Sequence, residues 1–174
     1  MVKAVYRTGA RTFLFINVPP IDRSPSTLAK GSKAQEAQKT SVEDFNIRLG
    51  KMLEGLRTSY EGTRVFHYDI HELYSNVLDN PASYPETSVY KNTEGYCEEY
   101  AAYVHRAIRQ PKFNAYEGIP ANLDLTLFRG TPDWYTSIPA CGAPVNQYFW
   151  LDHFHPTFPV HNVTAREIVA LLSP

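Results

Sequence analysis

Two apolar runs, Phe13-Leu14-Phe15-Ile16-Asn17-Val18 and Arg64-Val65-Phe66-His67-Tyr68-Asp69-Ile70, flank a long stretch of helical periodicity, and this order constrains the fold more than any other feature. The first run shows little alternation. It reads as a strand buried on both faces of a parallel sheet, ended by Pro19-Pro20. From Ser32 to Tyr60, residues Val42, Phe45, Leu49, Met52, Leu53 and Leu56 share one stripe, while Glu43, Asp44, Arg48, Lys51 and Arg57 lie elsewhere. That is an amphipathic helix laid on the sheet, its stripe assigned to core, with the polar patch Lys30 to Thr40 as a loop feeding it. The second run is the next strand, and His71 to Leu78 forms a short helix after it. Strand, helix, strand, helix is the order of right-handed crossover units, so the fold class is α/β with a parallel sheet. Because ligands gather at the carboxyl ends of such strands, the loop Pro19 to Pro25 is a candidate pocket wall.

The remainder is less regular. Met1 to Arg11 reads as the last turns of a helix whose beginning is missing, stopped at Gly9. Between Asp79 and Pro144, Pro and Gly recur too often for long elements, except at Glu98 to Gln110, which has the pattern of a helix stopped by Pro111. The rings at Tyr84, Tyr90, Tyr96, Tyr116, Trp134 and Tyr135 line a groove or cover the sheet edge. After Pro156 a closing helix runs from Thr157 to Ser173, with Thr157 as N-cap, Pro159 in the first turn, and Val160, Val163, Ile168, Val169, Leu171 and Leu172 on its buried side. The 174 residues fit one domain able to bury about 70% of its unfolded surface. With 17 Lys and Arg against 18 Asp and Glu, nothing points to nucleic acid or an anionic membrane. No apolar run approaches a membrane-spanning length, and the first residues lack the apolar stretch of a signal peptide. Cys97 and Cys141 lie in turn-rich sequence; they are either two buried thiols or a disulfide whose loop closure stabilises by roughly 4 kcal/mol.

The densest chemistry lies in Gln147-Tyr148-Phe149-Trp150-Leu151-Asp152-His153-Phe154-His155-Pro156-Thr157. Asp152 and His155 are three apart, a separation that one turn of backbone closes. A carboxylate oxygen there can accept from an imidazole N–H and fix its tautomer, which is the base and orienter half of a Ser-His-Asp triad. Pro156 biases His155 away from helical backbone, placing it at a loop mouth just before a helix. Three other readings stand beside this one. His155 is a half-buried packing residue; or His153, His155 and His161 form a metal site; or Asp152 only caps the following helix.

Asp-His-Phe-His-Pro-Thr, followed by Pro159-Val160-His161 and a final helix, resembles the last block of the GDSL, or SGNH, serine hydrolases, in which an Asp-x-x-His-Pro-Thr run closes the domain. Gly-Ala-Arg-x-Phe-Leu-Phe-Ile-Asn-Val-Pro-Pro, from Gly9 to Pro20, resembles an earlier block of the same family in the expected order. The likeness is nearest to secreted fungal carbohydrate esterases of family sixteen. The resemblance implies a three-layer α/β/α, flavodoxin-like domain, of which residues 1–174 carry the later half. It implies ester hydrolysis through an acyl-enzyme, with Asp152 and His155 as catalytic residues. It also implies no cofactor, a small ester or acetylated carbohydrate as substrate of the intact protein, an extracellular location, and a disulfide for Cys97 and Cys141. The family's nucleophilic Ser sits in a Gly-Asp-Ser turn, and this sequence contains no Gly-Asp pair and no Gly-x-Asn-Asp run. Ser24 is the one hydroxyl considered as a substitute, against its reading as a turn residue. The rival expectation is a non-catalytic α/β module that binds a sugar or a protein partner through its aromatic loops.

Overall fold

The computed structural model describes residues 2–102 and 138–173. Helix α1, Val2–Arg7, ends where Gly9 takes φ 101°, a conformation that only a residue without Cβ enters cheaply. The Arg11 guanidinium lies 3.9 Å from the Tyr6 ring centroid, and Tyr6 stacks obliquely on Tyr60 at 4.9 Å, so the first helix is tied to the end of the long one.

Strand β1, Thr12–Ile16, pairs in parallel with β2, Arg64–Tyr68, in the register Thr12 to Arg64 through Ile16 to Tyr68. A parallel pair needs a crossover between its members, and the short helix α2, Pro25–Leu28, followed by α3, Ser32–Ser59, supplies it. The fold is therefore α/β. The expected fully buried first strand is not found: Phe13, Leu14 and Phe15 are half-buried and both strand ends are exposed. With two strands in the sheet among the described residues, an edge of β1 has no neighbour to cover it.

Helix α3 begins at Ser32, so residues of the patch expected as a feeding loop are helical. Gly31 precedes it with φ 87°. Its stripe is also thinner than expected. Val42 and Leu53 are buried, whereas Phe45 is 53% exposed and Met52 45% exposed. Helical period fixes which residues share a face, not how much of that face finds a partner. One polar contact on this helix is specific. Asn46 accepts from the Val18 N–H and donates to the Val18 carbonyl, both at 2.9 Å, just beyond the end of β1.

The best-filled core lies elsewhere. Helix α4, Ile70–Asp79, is capped by Asp69, whose carboxylate accepts from Glu72 N at 2.9 Å and from the Asn17 amide at 2.7 Å. Its Leu73, Tyr74, Val77 and Leu78 pack with Tyr68, Tyr90, Phe149, Trp150, Val160 and Val163. The closing helix, Phe158–Leu172, lies against α4 and β2. Val160 and Val163 are buried and Ile168 is half-buried against the same core, as expected, but Val169 is 65% exposed, and Leu171 and Leu172 are exposed as well, contrary to the expected stripe.

Thr157 occupies the N-cap position without capping. Its hydroxyl donates to the Tyr148 carbonyl at 2.6 Å and lies 3.1 Å from the Tyr90 hydroxyl, because a buried hydroxyl is held by acceptors in the core. Pro159 does fall in the first turn. A second, smaller cluster joins Cys97, Tyr100, Cys141 and Val145, and the two cysteines form a disulfide with Cα atoms 5.6 Å apart. Residues 98–102 are helical; the rest of the expected helix, to Gln110, and the rings at 116, 134 and 135 lie outside the described residues. Among the described residues no helix is long and apolar enough to cross a membrane.

Candidate active site

The Asp152–His155 turn sits at the tip of a tight reversal whose stem is rigid. Leu151 N–H donates to the His155 carbonyl and Thr157 N–H to the Phe149 carbonyl, each at 2.8 Å, so residues 149–151 lie against 155–157. Phe149 and Trp150 are buried at the base of this stem, and the Trp150 indole N–H donates to the Thr93 carbonyl at 2.9 Å. Apolar burial therefore anchors the stem, while His153, Phe154 and His155 at the tip are exposed and Asp152 is buried beneath them.

Within the tip one carboxylate has two tasks. Asp152 Oδ1 accepts from the backbone N–H groups of Phe154 and His155 at 2.9 Å, closing the turn as Asp side chains commonly do. The His155 ring nitrogen Nδ1 lies 2.8 Å from Oδ2 and 2.9 Å from Oδ1. An ionised carboxylate only accepts, so Nδ1 carries the proton and the neutral ring keeps its lone pair on Nε2. Asp152 is 6% exposed, whereas the His155 side chain is 75% exposed. A buried carboxylate thus orients an imidazole whose far nitrogen faces solvent, the arrangement of a general base with its orienter.

This geometry bears on the three other readings of the stretch. His155 is not a packing residue, since three quarters of its side chain is open. Asp152 caps its own turn rather than the closing helix, which begins at Phe158. His153, His155 and His161 do not converge as a ligand set among the described residues; the side chains that do are Cys97, Glu99 and Cys141, and the two sulfurs are engaged in the disulfide. His161 follows on the closing helix, where burial, and secondarily the neighbouring His155, hold its pKa below the ordinary value.

The loop after β1 reaches the same turn. Ser26 N–H, in the short helix just past the expected pocket wall of Pro19 to Pro25, donates to the His153 carbonyl at 3.2 Å. Ser24 does not serve there as a nucleophile. It is fully buried, its hydroxyl donates to the Ile21 carbonyl at 2.7 Å, and it caps the short helix α2, Pro25–Leu28, by accepting from Thr27 N–H. A hydroxyl so enclosed cannot reach an exposed imidazole.

A third element was less legible. The Tyr96 hydroxyl donates to Glu98 Oε1 at 2.6 Å and lies 2.9 Å from His153 Nδ1, with the two rings edge to face at 4.8 Å. Tyr96 was among the aromatics expected to line a groove; Glu98 and Ser26 carried no signal at all. Nothing in spacing joins residues so far apart in the chain.

No protein-family model matches the chain. It is 28% identical over 125 residues to an acetylesterase of Thermothelomyces thermophilus, covering 67% of this chain and 41% of that protein. Over 170 residues it is 26% identical to a GDSL esterase/lipase of Arabidopsis thaliana, covering 90% of this chain and 39% of the relative. A second Arabidopsis thaliana GDSL esterase/lipase is 31% identical over 87 residues, which is 48% of this chain and 23% of that protein. The fold is α/β and the relatives it matches carry the names of esterases. They support, for this chain, the family expected from its sequence, the GDSL/SGNH esterases. The chain spans about two fifths of the length of the first two.

Proposed function

We propose that this chain contributes the base and its orienter to a carboxylic ester hydrolase, with His155 as general base and then acid and Asp152 as the carboxylate that fixes its tautomer. The observation that carries the reading is the buried Asp152 carboxylate 2.8 Å from Nδ1 of an exposed His155. In the proposed reaction His155 Nε2 takes the proton of a serine hydroxyl as that oxygen attacks the ester carbonyl. It then returns the proton to the departing alcohol, and in a second round activates water against the acyl-enzyme. Asp152 stays ionised and stabilises the imidazolium.

We propose that the nucleophile and the oxyanion donors come from sequence outside residues 1–174, which form a partial SGNH domain. An acetyl group on a carbohydrate is the substrate we favour, supported by the name of the acetylesterase relative. The disulfide suits an oxidising compartment and so an extracellular location.

The test joins this chain to the portion of the Thermothelomyces acetylesterase that it does not cover and follows p-nitrophenyl acetate hydrolysis. His155→Ala should lower kcat by about 10,000-fold or more, since triad members act as a unit. The 174-residue chain by itself should give no turnover that depends on His155. An undiminished rate in the joined His155→Ala protein would remove the reading and leave a non-catalytic module.

A further inference from the structure

Asp152 orients the base, and each of its two chain neighbours leans on a group tied to the Cys97–Cys141 disulfide. On one side is Leu151. Its side chain packs against the cluster of Cys97, Tyr100, Cys141 and Val145, and its N–H donates to the His155 carbonyl at 2.8 Å. On the other side is His153, whose ring meets the Tyr96 ring edge to face at 4.8 Å. The Tyr96 hydroxyl lies 2.9 Å from one nitrogen of that imidazole and 3.4 Å from the other, so the phenol packs against the ring as a whole. Tyr96 directly precedes Cys97.

The other half of the cross-link reaches the stem as well. The Cys141 carbonyl accepts from the Tyr148 hydroxyl, and the Tyr148 carbonyl accepts from the Thr157 hydroxyl at 2.6 Å. Tyr100 joins the two cysteine segments a second time: its hydroxyl donates to the Ala143 carbonyl at 2.9 Å and accepts from Ile138 N–H at 3.0 Å. The Asp152 turn thus has a polar closure of its own, made by Oδ1, and a support on each flank that is fastened to one cross-linked cluster. A short surface turn opens locally at little cost unless its neighbours hold it, and an opened turn separates a carboxylate from the imidazole it orients.

We propose that the Cys97–Cys141 disulfide and Tyr96 are positioning groups for the base: by holding Leu151 and His153 on either side of Asp152, they keep Asp152 and His155 in contact. This inference rests on the ester-hydrolase reading of that pair. It goes further by giving the cross-link a part in turnover that is separate from its part in stability.

The structural half of the experiment uses the 174-residue chain and long-range proton–nitrogen correlation spectra of the His155 ring. The parent should show His155 protonated at Nδ1, as its contact with Asp152 requires. In the Cys97→Ser, Cys141→Ser double variant the ring nitrogens should move toward the averaged values of a free imidazole, while the β1–β2 amide signals stay in place. Tyr96→Ala should move them the same way by a smaller amount, and Tyr96→Phe, which keeps the ring, should restore the parent spectrum. The kinetic half uses the joined protein. There the double variant should lower kcat about tenfold or more and leave KM within about twofold, because the cross-link aligns the base without touching substrate. A His155 spectrum unchanged by the double variant, or a rise in KM at constant kcat, would overturn the proposal. If the double variant loses the β1–β2 signals too, Tyr96→Ala decides, and an unmoved His155 there overturns it equally. Failure of the underlying reading shows separately, as full p-nitrophenyl acetate turnover in the joined His155→Ala protein.

Discussion

The segment around Asp152 and His155 and the β1–α3 region differ in how their elements are held. In the first, Phe149, Trp150, Val145, Val160, Val163 and Thr157 are nearly or fully buried within a short length of chain. In the second, a helix of 28 residues buries only Val42 and Leu53, and the strand beside it has exposed ends. Each region carries residues that the sequence reads as core, Val160 and Val163 in the first and the α3 stripe in the second. The difference teaches that a functional turn can rest on a small, dense core of its own while the regular elements beside it are covered thinly.

The largest effect should come from breaking the dense side of this comparison. Phe149→Ala removes a fully buried ring that packs edge-on against Tyr74, Tyr90 and Trp150, and should cost about 3–5 kcal/mol of unfolding free energy in urea. Phe45→Ala, on the exposed face of α3, should stay within about 0.5 kcal/mol. Comparable losses at the two sites would mean that the contrast in burial does not govern stability.

A smaller effect should follow from replacing both cysteines by serine. Loop closure across a sequence separation of 44 predicts a loss of roughly 2–4 kcal/mol. Amide exchange should quicken around residues 93–102 and 141–148 and leave the β1–β2 ladder unchanged. Uniform acceleration would show that the disulfide stabilises the whole molecule and not its own cluster.

The smallest effect concerns pH. The folded state holds His161 below its ordinary value of 6.5, so the unfolded chain binds more protons as the solution is acidified. The associated stability is present above 6.5 and falls as pH drops through the folded value. His161→Gln should flatten that decline in thermal melts between pH 7 and 5, and an unaltered slope would assign the decline to carboxylates.

Much of this was legible in the sequence because it is local. The strands and α3 followed from apolar period, and the Asp152–His155 contact followed from a separation that one turn closes. Burial was not legible. Whether Phe45, Met52 or Val169 meets a partner depends on elements distant in the chain, and periodicity is silent on them. Thr157 shows the same limit on a smaller scale. Its position marked a cap, but Tyr148 and Tyr90 offered its hydroxyl better company inside. The Tyr96–His153 contact spans 57 positions and left no trace in spacing.

Asn46 gives the long helix a reach beyond the strands it crosses. Its amide meets both polar groups of the Val18 peptide, as a neighbouring strand would, and so stops the ladder and sets the heading of the chain that leaves β1. That departing chain runs on to Ser26, whose N–H grips the His153 carbonyl. The long helix braces this segment along its length, over Ile21–Arg23 and Pro25–Leu28, so the imidazole turn leans through Ser26 on the same support that carries the strands.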